Sequence, residues 1–271
     1  MMTVSTRNDD IERARICLES LDRFCRNRLP LFIICPDAAL EEVQTAYRGL
    51  KRRMLALEFL PDSALLAENV QSDPTVRGTV RQMLVKLAFA RCCRAPFYLT
   101  LDADVALVRE WGISDVIEDG RAAVQRKPIE PDHIWCNAAA ELLGSPHEGT
   151  ETMDVTPAIL SAEGVRAMIE MLKARYGDWQ RTLADRHRDG LKWTEYTLYW
   201  HFLRQTGRLE EFHRLPKDFR LFVMRSLWRK KYLEGWSLDQ ALKGRGYFVV
   251  LQSSTGLSVA EARAMLGMAG S

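Results

Sequence analysis

Two aspartates one residue apart, Asp102 and Asp104, close the run PFYLTLDADV over residues 96–105. Phe97, Tyr98, Leu99 and Leu101 have the make-up of a buried strand, and alternation along a strand that continued through the acids would send both carboxylates to one side. At the carboxyl end of a strand in an open α/β sheet, that side is where ligands bind. Two neighbouring carboxylates repel each other and lose hydration there unless a cation offsets both costs. Their hard oxygens suit Mn²⁺ or Mg²⁺ holding a substrate phosphate. A solvated acid pair in a strand-to-loop turn has the same local sequence. The D-x-D spacing therefore draws its force from the strand before it.

A second acid stands in GLKWTEYTLYWHFL, residues 190–203. Thr194 is placed as an N-cap, which puts Glu195 in the first turn of a helix, where the macrodipole favours a carboxylate. Trp193, Tyr196, Tyr199 and Trp200 surround it with aromatic surface. A general base, an acceptor of a sugar hydroxyl and a plain helix-dipole glutamate all fit this pattern. Arg77, Arg81 and Lys86 lie off the apolar stripe of a helix expected over 76–93, with Lys86 at the stripe's edge. They suit either the neutralisation of a diphosphate or a solvated helix face. YFVVLQ, residues 247–252, reads as a late strand that brings Gln252, Ser253 and Ser254 to another strand end. That polar cluster is expected beside the metal.

The elements that must position these groups follow from periodicity. Met2–Thr6 reads as a strand, and Asp9 with Glu12 as a capping box before a helix with Ile11, Ala14, Leu18, Leu21 and Cys25 inward. LFIIC, residues 31–35, has the continuous apolar pattern of a strand covered on both faces. A second helix opens at Pro36-Asp37, and a third strand runs from Met54 to Leu60. Connections of about ten residues or more between these strands imply a parallel sheet with right-handed crossovers. Further on, Asp119-Gly120 marks a tight reversal into a strand over 122–125, and a helix over 132–143 stops at Gly144. Ser161 starts another helix that ends at Gly177, and Ser237/Gln240 and Ser258/Glu261 have capping-box spacing.

With 47% hydrophobic content in 271 residues the chain can bury a sizeable core, and its net charge of +2 argues against wholesale nucleic-acid binding. The six cysteines contain no C-x-x-C pair, and most of them read as reduced core residues. The first residues lack a basic stretch followed by an apolar run, and nothing approaches a spanning helix, so a cytoplasmic location is expected. Residues 215–233 interleave Phe219, Phe222, Leu227, Trp228 and Tyr232 with six basic residues. That composition suits either a peripheral contact with the inner face of a membrane, or with a lipid-linked acceptor, or a packed helix with solvated basic residues. No G-x-G-x-x-G and no G-x-x-x-x-G-K-[ST] follows the first strand, which excludes an ordinary dinucleotide-binding domain and a P-loop NTPase.

RQMLVKLAF leading into FYLTLDADV, then DVTPAIL, WTEYTLY and VVLQSS, occur here in an order that resembles the GT-A superfamily of nucleotide-sugar glycosyltransferases. More closely, the chain resembles a bacterial group within it formerly classed as a domain of unknown function. The resemblance implies an α/β, Rossmann-like GT-A fold with a mixed, mostly parallel sheet in a single domain. Residues 1–105 would be the nucleotide-binding half with the D-x-D, and 106–271 the acceptor half. It implies a metal-dependent, hexosyltransferase-type enzyme that moves a sugar from a nucleotide-diphosphate donor to a saccharide or lipid-linked acceptor. Asp104 and Asp102 would be the D-x-D acids, with Asp104 on the metal and Asp102 nearer the ribose or behind the metal. Glu195 falls where inverting members hold their base. Many members add a late histidine ligand; no histidine follows His213 here, which leaves Gln252, Ser253 or water.

Two other classes stay in view. A haloacid-dehalogenase-like phosphatase also sets D-x-D after a hydrophobic strand, with the first acid as nucleophile, but expects Thr or Val where Ala106 stands. A catalytically degenerate GT-A-like binding module would keep the fold without turnover. A sugar nucleotidyltransferase needs a glycine-rich basic loop after its first strand, and VSTRNDD is not one.

Overall fold

The computed structural model describes residues 1–5, 8–50, 52–130, 132–147, 149–153 and 155–268. Thr6 and Arg7 of the expected first strand and loop, and Asp154 of DVTPAIL, lie outside the described residues. Along the chain run β1 (Met2–Thr3), α1 (Asn8–Phe24), β2 (Leu29–Cys35), α2 (Leu40–Arg48), β3 (Leu55–Pro61), α3 (Gly78–Ala88), β4 (Phe97–Thr100) and β5 (Val105–Leu107). There follow β6 (Ile117–Glu118), β7 (Arg121–Ala123), α4 (Ile134–Leu143), β8 (Ala158–Ser161), α5 (Ala162–Tyr176), α6 (Trp179–Arg188), α7 (Glu195–Gln205), β9 (His213–Arg214), β10 (Phe248–Val250) and α8 (Val259–Met265). The architecture is mixed α/β.

Packing gathers the chain into two compact units, each built from separated stretches: residues 1–61, 101–116 and 217–271, and residues 62–100 and 117–216. Neither unit coincides with residues 1–105 or 106–271, the halves that the resemblance implies.

In the first unit β1, β2 and β3 are parallel neighbours, with Met2 opposite Ile33 and Leu29 through Cys35 opposite Leu55 through Pro61. Met2 also bridges Leu101 in parallel. The β-α-β-α-β order expected from periodicity is present. α1 buries Ile11, Ala14, Leu18 and Leu21 as expected, and also Ile16; Cys25, buried as well, lies just past its end. Ile16 packs into a further apolar cluster with Ala106, Val223, Leu227, Val249 and Leu266, so α1 is covered on two sides. Asp9 lies inside the first turn of α1 and is not its N-cap, and β1 is shorter than expected.

The sharpest departure is at 215–233, where no α-helix forms among the described residues; one 3₁₀ turn spans Lys230–Tyr232. Its backbone is taken by β10 instead. Val223 N–H donates to Phe248 O at 2.7 Å, Leu227 N–H to Val250 O at 2.8 Å, and Tyr247 N–H to Leu221 O at 2.9 Å. Leu221, Val223 and Leu227 are the buried apolar residues, a spacing that serves an extended neighbour and not a helix face. β10 pairs on its other side with β5, antiparallel, Val250 opposite Val105.

In the second unit β4 and β8 are antiparallel, with Thr100 opposite Ala158 and Phe97 opposite Ser161. β6 and β7 form the expected reversal, turning through Asp119 (φ 51°) and Gly120 (φ 72°), and β9 joins β7 in parallel. The expected helix over 76–93 is α3 followed by a 3₁₀ turn, Phe89–Arg91. Ser161 caps α5 by accepting from Gly164 N–H at 3.1 Å, and Gly144 ends α4 in a left-handed conformation. No helix among the described residues is long and apolar enough to cross a membrane.

Gly246 admits the chain crossing beside β10. Its φ is +121°, and a Cβ there would lie 2.7 Å from Phe222 C and O and from Val223 N. A Gly246→Ala protein is expected to lose on the order of 3 kcal/mol from backbone strain and overlap. Gly244→Ala, whose added carbon would meet only Ala241 O at 3.5 Å, is the control and should stay near wild type in urea or thermal melts.

Candidate functional site

The sequence-selected residues fall into two groups, one in each unit. In the first unit, Leu101 is held against β1: its N–H donates to Met1 O at 3.0 Å, and its carbonyl accepts from Thr3 N–H at 3.3 Å. The strand stops at Asp102, and a turn through Ala103 and Asp104 leads into β5. The alternation expected for a continuing strand therefore does not apply; the turn brings the acids into electrostatic range. Both are half-buried. Burial, and then the charge of Asp102, push the Asp104 carboxyl up to about 7, against the opposing pull of Ser253 N–H and Arg13.

The end of β10 closes on this turn. Leu251 N–H donates to the Asp104 carbonyl at 2.9 Å, and Ser253 N–H donates to Asp104 Oδ2 at 3.1 Å. Gln252, between them, is half-buried, so the structure brings Asp104 and Gln252 to the same place. Two residues that sequence reasoning passed over hold it there. Arg13, 3% exposed on α1, donates to Leu251 O at 3.3 Å and to Leu257 O. Ser20 Oγ, buried on the same helix, accepts from Leu107 N–H at 2.9 Å. Arg13, Cys17 and Ser20 recur at i, i+4 and i+7, which is the signal that a polar stripe of α1 faces inward. Burial above all raises the Cys17 thiol, with Cys25, Asp104 and Asp102 adding to it.

The donor set tests the expected metal. Among the described residues no three His, Cys, Asp or Glu side chains are grouped to hold an ion. Two carboxylates with an adjacent amide and hydroxyl are all hard oxygen donors. They fit Mn²⁺ or Mg²⁺, which take their remaining ligands from water and substrate phosphates.

In the second unit, Thr194 caps α7, accepting from Thr197 N–H at 3.3 Å, and Glu195 occupies the first helical position as expected. Trp193, Tyr196, Tyr199 and Trp200 are all buried. Lys86 and Glu195, expected in separate roles, are partners. Lys86 Nζ donates to Glu195 Oε1 at 2.8 Å, and each side chain is 5% exposed. Lys86 Nζ also stands 5.1 Å from the centre of the Tyr196 ring, and Tyr98 O–H donates to Lys86 O at 2.9 Å. The Tyr196 hydroxyl bonds Thr100 Oγ1 at 2.9 Å, so the pair is tied to β4. Arg81 is elsewhere engaged. Its guanidinium donates to Asp73 O at 2.7 Å and to Val76 O at 3.2 Å, bracing the loop before α3.

A solved structure bears out the expected mixed α/β, GT-A-like fold. The crystal structure of mouse xyloside xylosyltransferase 1, apo form, is similar at a TM-score of 0.56 and 16% identity, covering 94% of this chain and 98% of that one. The chain belongs to the Family of unknown function (DUF6492), whose model matches residues 1–268. No curated protein matches it. Solved chains that do match number 182; likeness of fold alone does not assign a function, which the site has to carry.

Two stability outcomes follow. Asp104 binds a proton in the folded state that the unfolded chain releases at lower pH, so its ionised form costs stability progressively as pH rises from about 4 to about 7. In chelator, Asp104→Asn should melt above wild type at pH 8, with the gap closing near pH 4. Lys86→Met leaves Glu195 buried without this cation and should cost about 3–5 kcal/mol in urea, whereas Lys86→Met/Glu195→Leu should cost less.

Proposed function

We propose that the chain is a glycosyltransferase that moves a sugar from a nucleotide-diphosphate donor to a hydroxyl of a saccharide or lipid-linked acceptor. One observation carries this: within a GT-A-like fold, the half-buried Asp102–Asp104 turn is locked by Leu251 and Ser253 backbone N–H groups beside Gln252. Asp104 and Asp102, with Gln252, would hold Mn²⁺ or Mg²⁺. When bound, the ion supplies positive charge against the departing diphosphate. The acceptor oxygen forms its bond to the anomeric carbon as the bond from that carbon to the diphosphate oxygen breaks, and the electron pair leaves with the nucleoside diphosphate.

In an inverting reaction Glu195 takes the acceptor proton. Oε1 is engaged by Lys86, so Oε2 is the oxygen for that proton, and Lys86 steadies the carboxylate. Arg81 and Lys86 serve the diphosphate in this scheme only by exchanging the partners they hold here. The same buried pair favours a second assignment, in which Glu195 is structural and the proton leaves by another route.

The test is release of nucleoside diphosphate from a panel of nucleotide sugars with Mn²⁺, water or simple saccharides serving as acceptor. Asp104→Ala should lower turnover by roughly 10²–10³-fold or more while melting as a folded protein. Glu195→Gln should lower it about 10²–10⁴-fold if Glu195 is the base. Unchanged turnover in folded Glu195→Gln selects the structural assignment, and full turnover in folded Asp104→Ala contradicts the proposal.

A further inference from the structure

Residues 217–245 carry eight basic and three acidic side chains, a net +5, whereas the whole chain is +2; the remaining residues together are therefore −3. Charge is concentrated in one stretch of a nearly neutral protein. Two of the four exposed large hydrophobic side chains among the described residues fall in the same stretch: Met224, 63% exposed, and Tyr232, 53% exposed. The backbone that presents Met224 is fixed, because Leu221, Val223 and Leu227 are bonded to β10 and the residue before it, and Gly246 allows the close crossing.

That crossing forms a groove of about 430 Å³ whose rim carries Arg220, Arg225, Lys243 and Arg245 around Met224. Its one acid, Asp218, is taken up by Arg245 at 3.4 Å. The Arg225 and Lys243 side chains have no ion-pair partner among the described residues and are exposed. Cations around a protruding thioether match the layered chemistry of a lipid surface, with phosphates outside and acyl chain within. Long basic side chains bury their stems there and keep their charges at the phosphates. A nucleic acid would satisfy the charges and leave Met224 in water.

We propose that this groove and its rim are a docking surface for an anionic phospholipid bilayer. The contact is made by a rigid loop pair and not by a surface-lying helix. It depends on this surface alone and holds whichever reaction the rest of the chain performs. Each basic group brought to an anionic leaflet strengthens binding about fivefold, and salt screens it.

The test is co-sedimentation of the full chain with vesicles of equal parts phosphatidylglycerol and phosphatidylcholine, against pure phosphatidylcholine vesicles, at low and high salt. Wild type should pellet with the anionic vesicles alone and be released by salt. Arg225→Gln/Lys243→Gln should weaken binding about 25-fold at an unchanged melting temperature. Arg225→Glu/Lys243→Glu should abolish it, and Met224→Ser should weaken it severalfold. The proposal is overturned if wild type ignores anionic vesicles, if it binds both vesicle types equally, or if the folded Gln pair binds as wild type. It is overturned as well if duplex DNA competes fully and Met224→Ser changes nothing.

Discussion

The first unit is arranged around a like-charge problem. Two carboxylates leave the same strand end within range of each other, and neither is fully in water. A protein without use for them would turn them outward or replace one by an amide. Here the surrounding structure fixes one of them instead. α1 holds the strands on either side of the turn, Arg13 at the Leu251 carbonyl and Ser20 at Leu107 N–H, and the end of β10 meets Asp104 itself through the N–H groups of Leu251 and Ser253. The charge that remains is what a divalent ion would offset, and the burial that penalises ionised Asp104 strengthens its attraction for such an ion.

The second unit handles buried charge differently. Lys86 and Glu195 neutralise each other at 2.8 Å, and the ring of Tyr196 lies against the ammonium. A pair of this kind adds little net stability over an apolar replacement but makes the loss of either partner costly. Its value lies in holding the first turn of α7 in one register with α3 and β4. That placement makes Glu195 a well-oriented carboxylate, the property a base in transfer chemistry requires.

Much of this was legible in the sequence because local rules and tertiary structure agree. The alternation of β1, α1, β2, α2 and β3, the Asp119-Gly120 turn, the caps at Ser161, Thr194 and Ser258, and the stop at Gly144 all follow from short-range chemistry. The acid pair was visible, and so was its meeting with the Gln252 stretch. What escaped depends on partners far away in sequence. Residues 215–233 have aromatic and basic residues in helical-looking proportion, yet their N–H groups are claimed by β10, and β10 is absent from any local window. Lys86 and Glu195 are 109 residues apart, and each alone fits either a role toward substrate or an ordinary helix position, with nothing local to mark them as partners. Arg13 was hidden inside an otherwise ordinary amphipathic helix, although its spacing to Cys17 and Ser20 marked a polar stripe.

Fold likeness to a xylosyltransferase at 16% identity establishes architecture, and the chemistry rests on the acid turn. The decisive measurement is titration of Mn²⁺ followed by electron paramagnetic resonance, with the protein alone and with each of a panel of nucleoside diphosphates. The account predicts that one diphosphate draws Mn²⁺ onto the protein at one ion per chain, and that Asp104→Asn and Asp102→Asn each lose this while remaining folded. Mn²⁺ that stays free with every diphosphate, or that binds both variants as tightly as wild type, would contradict it.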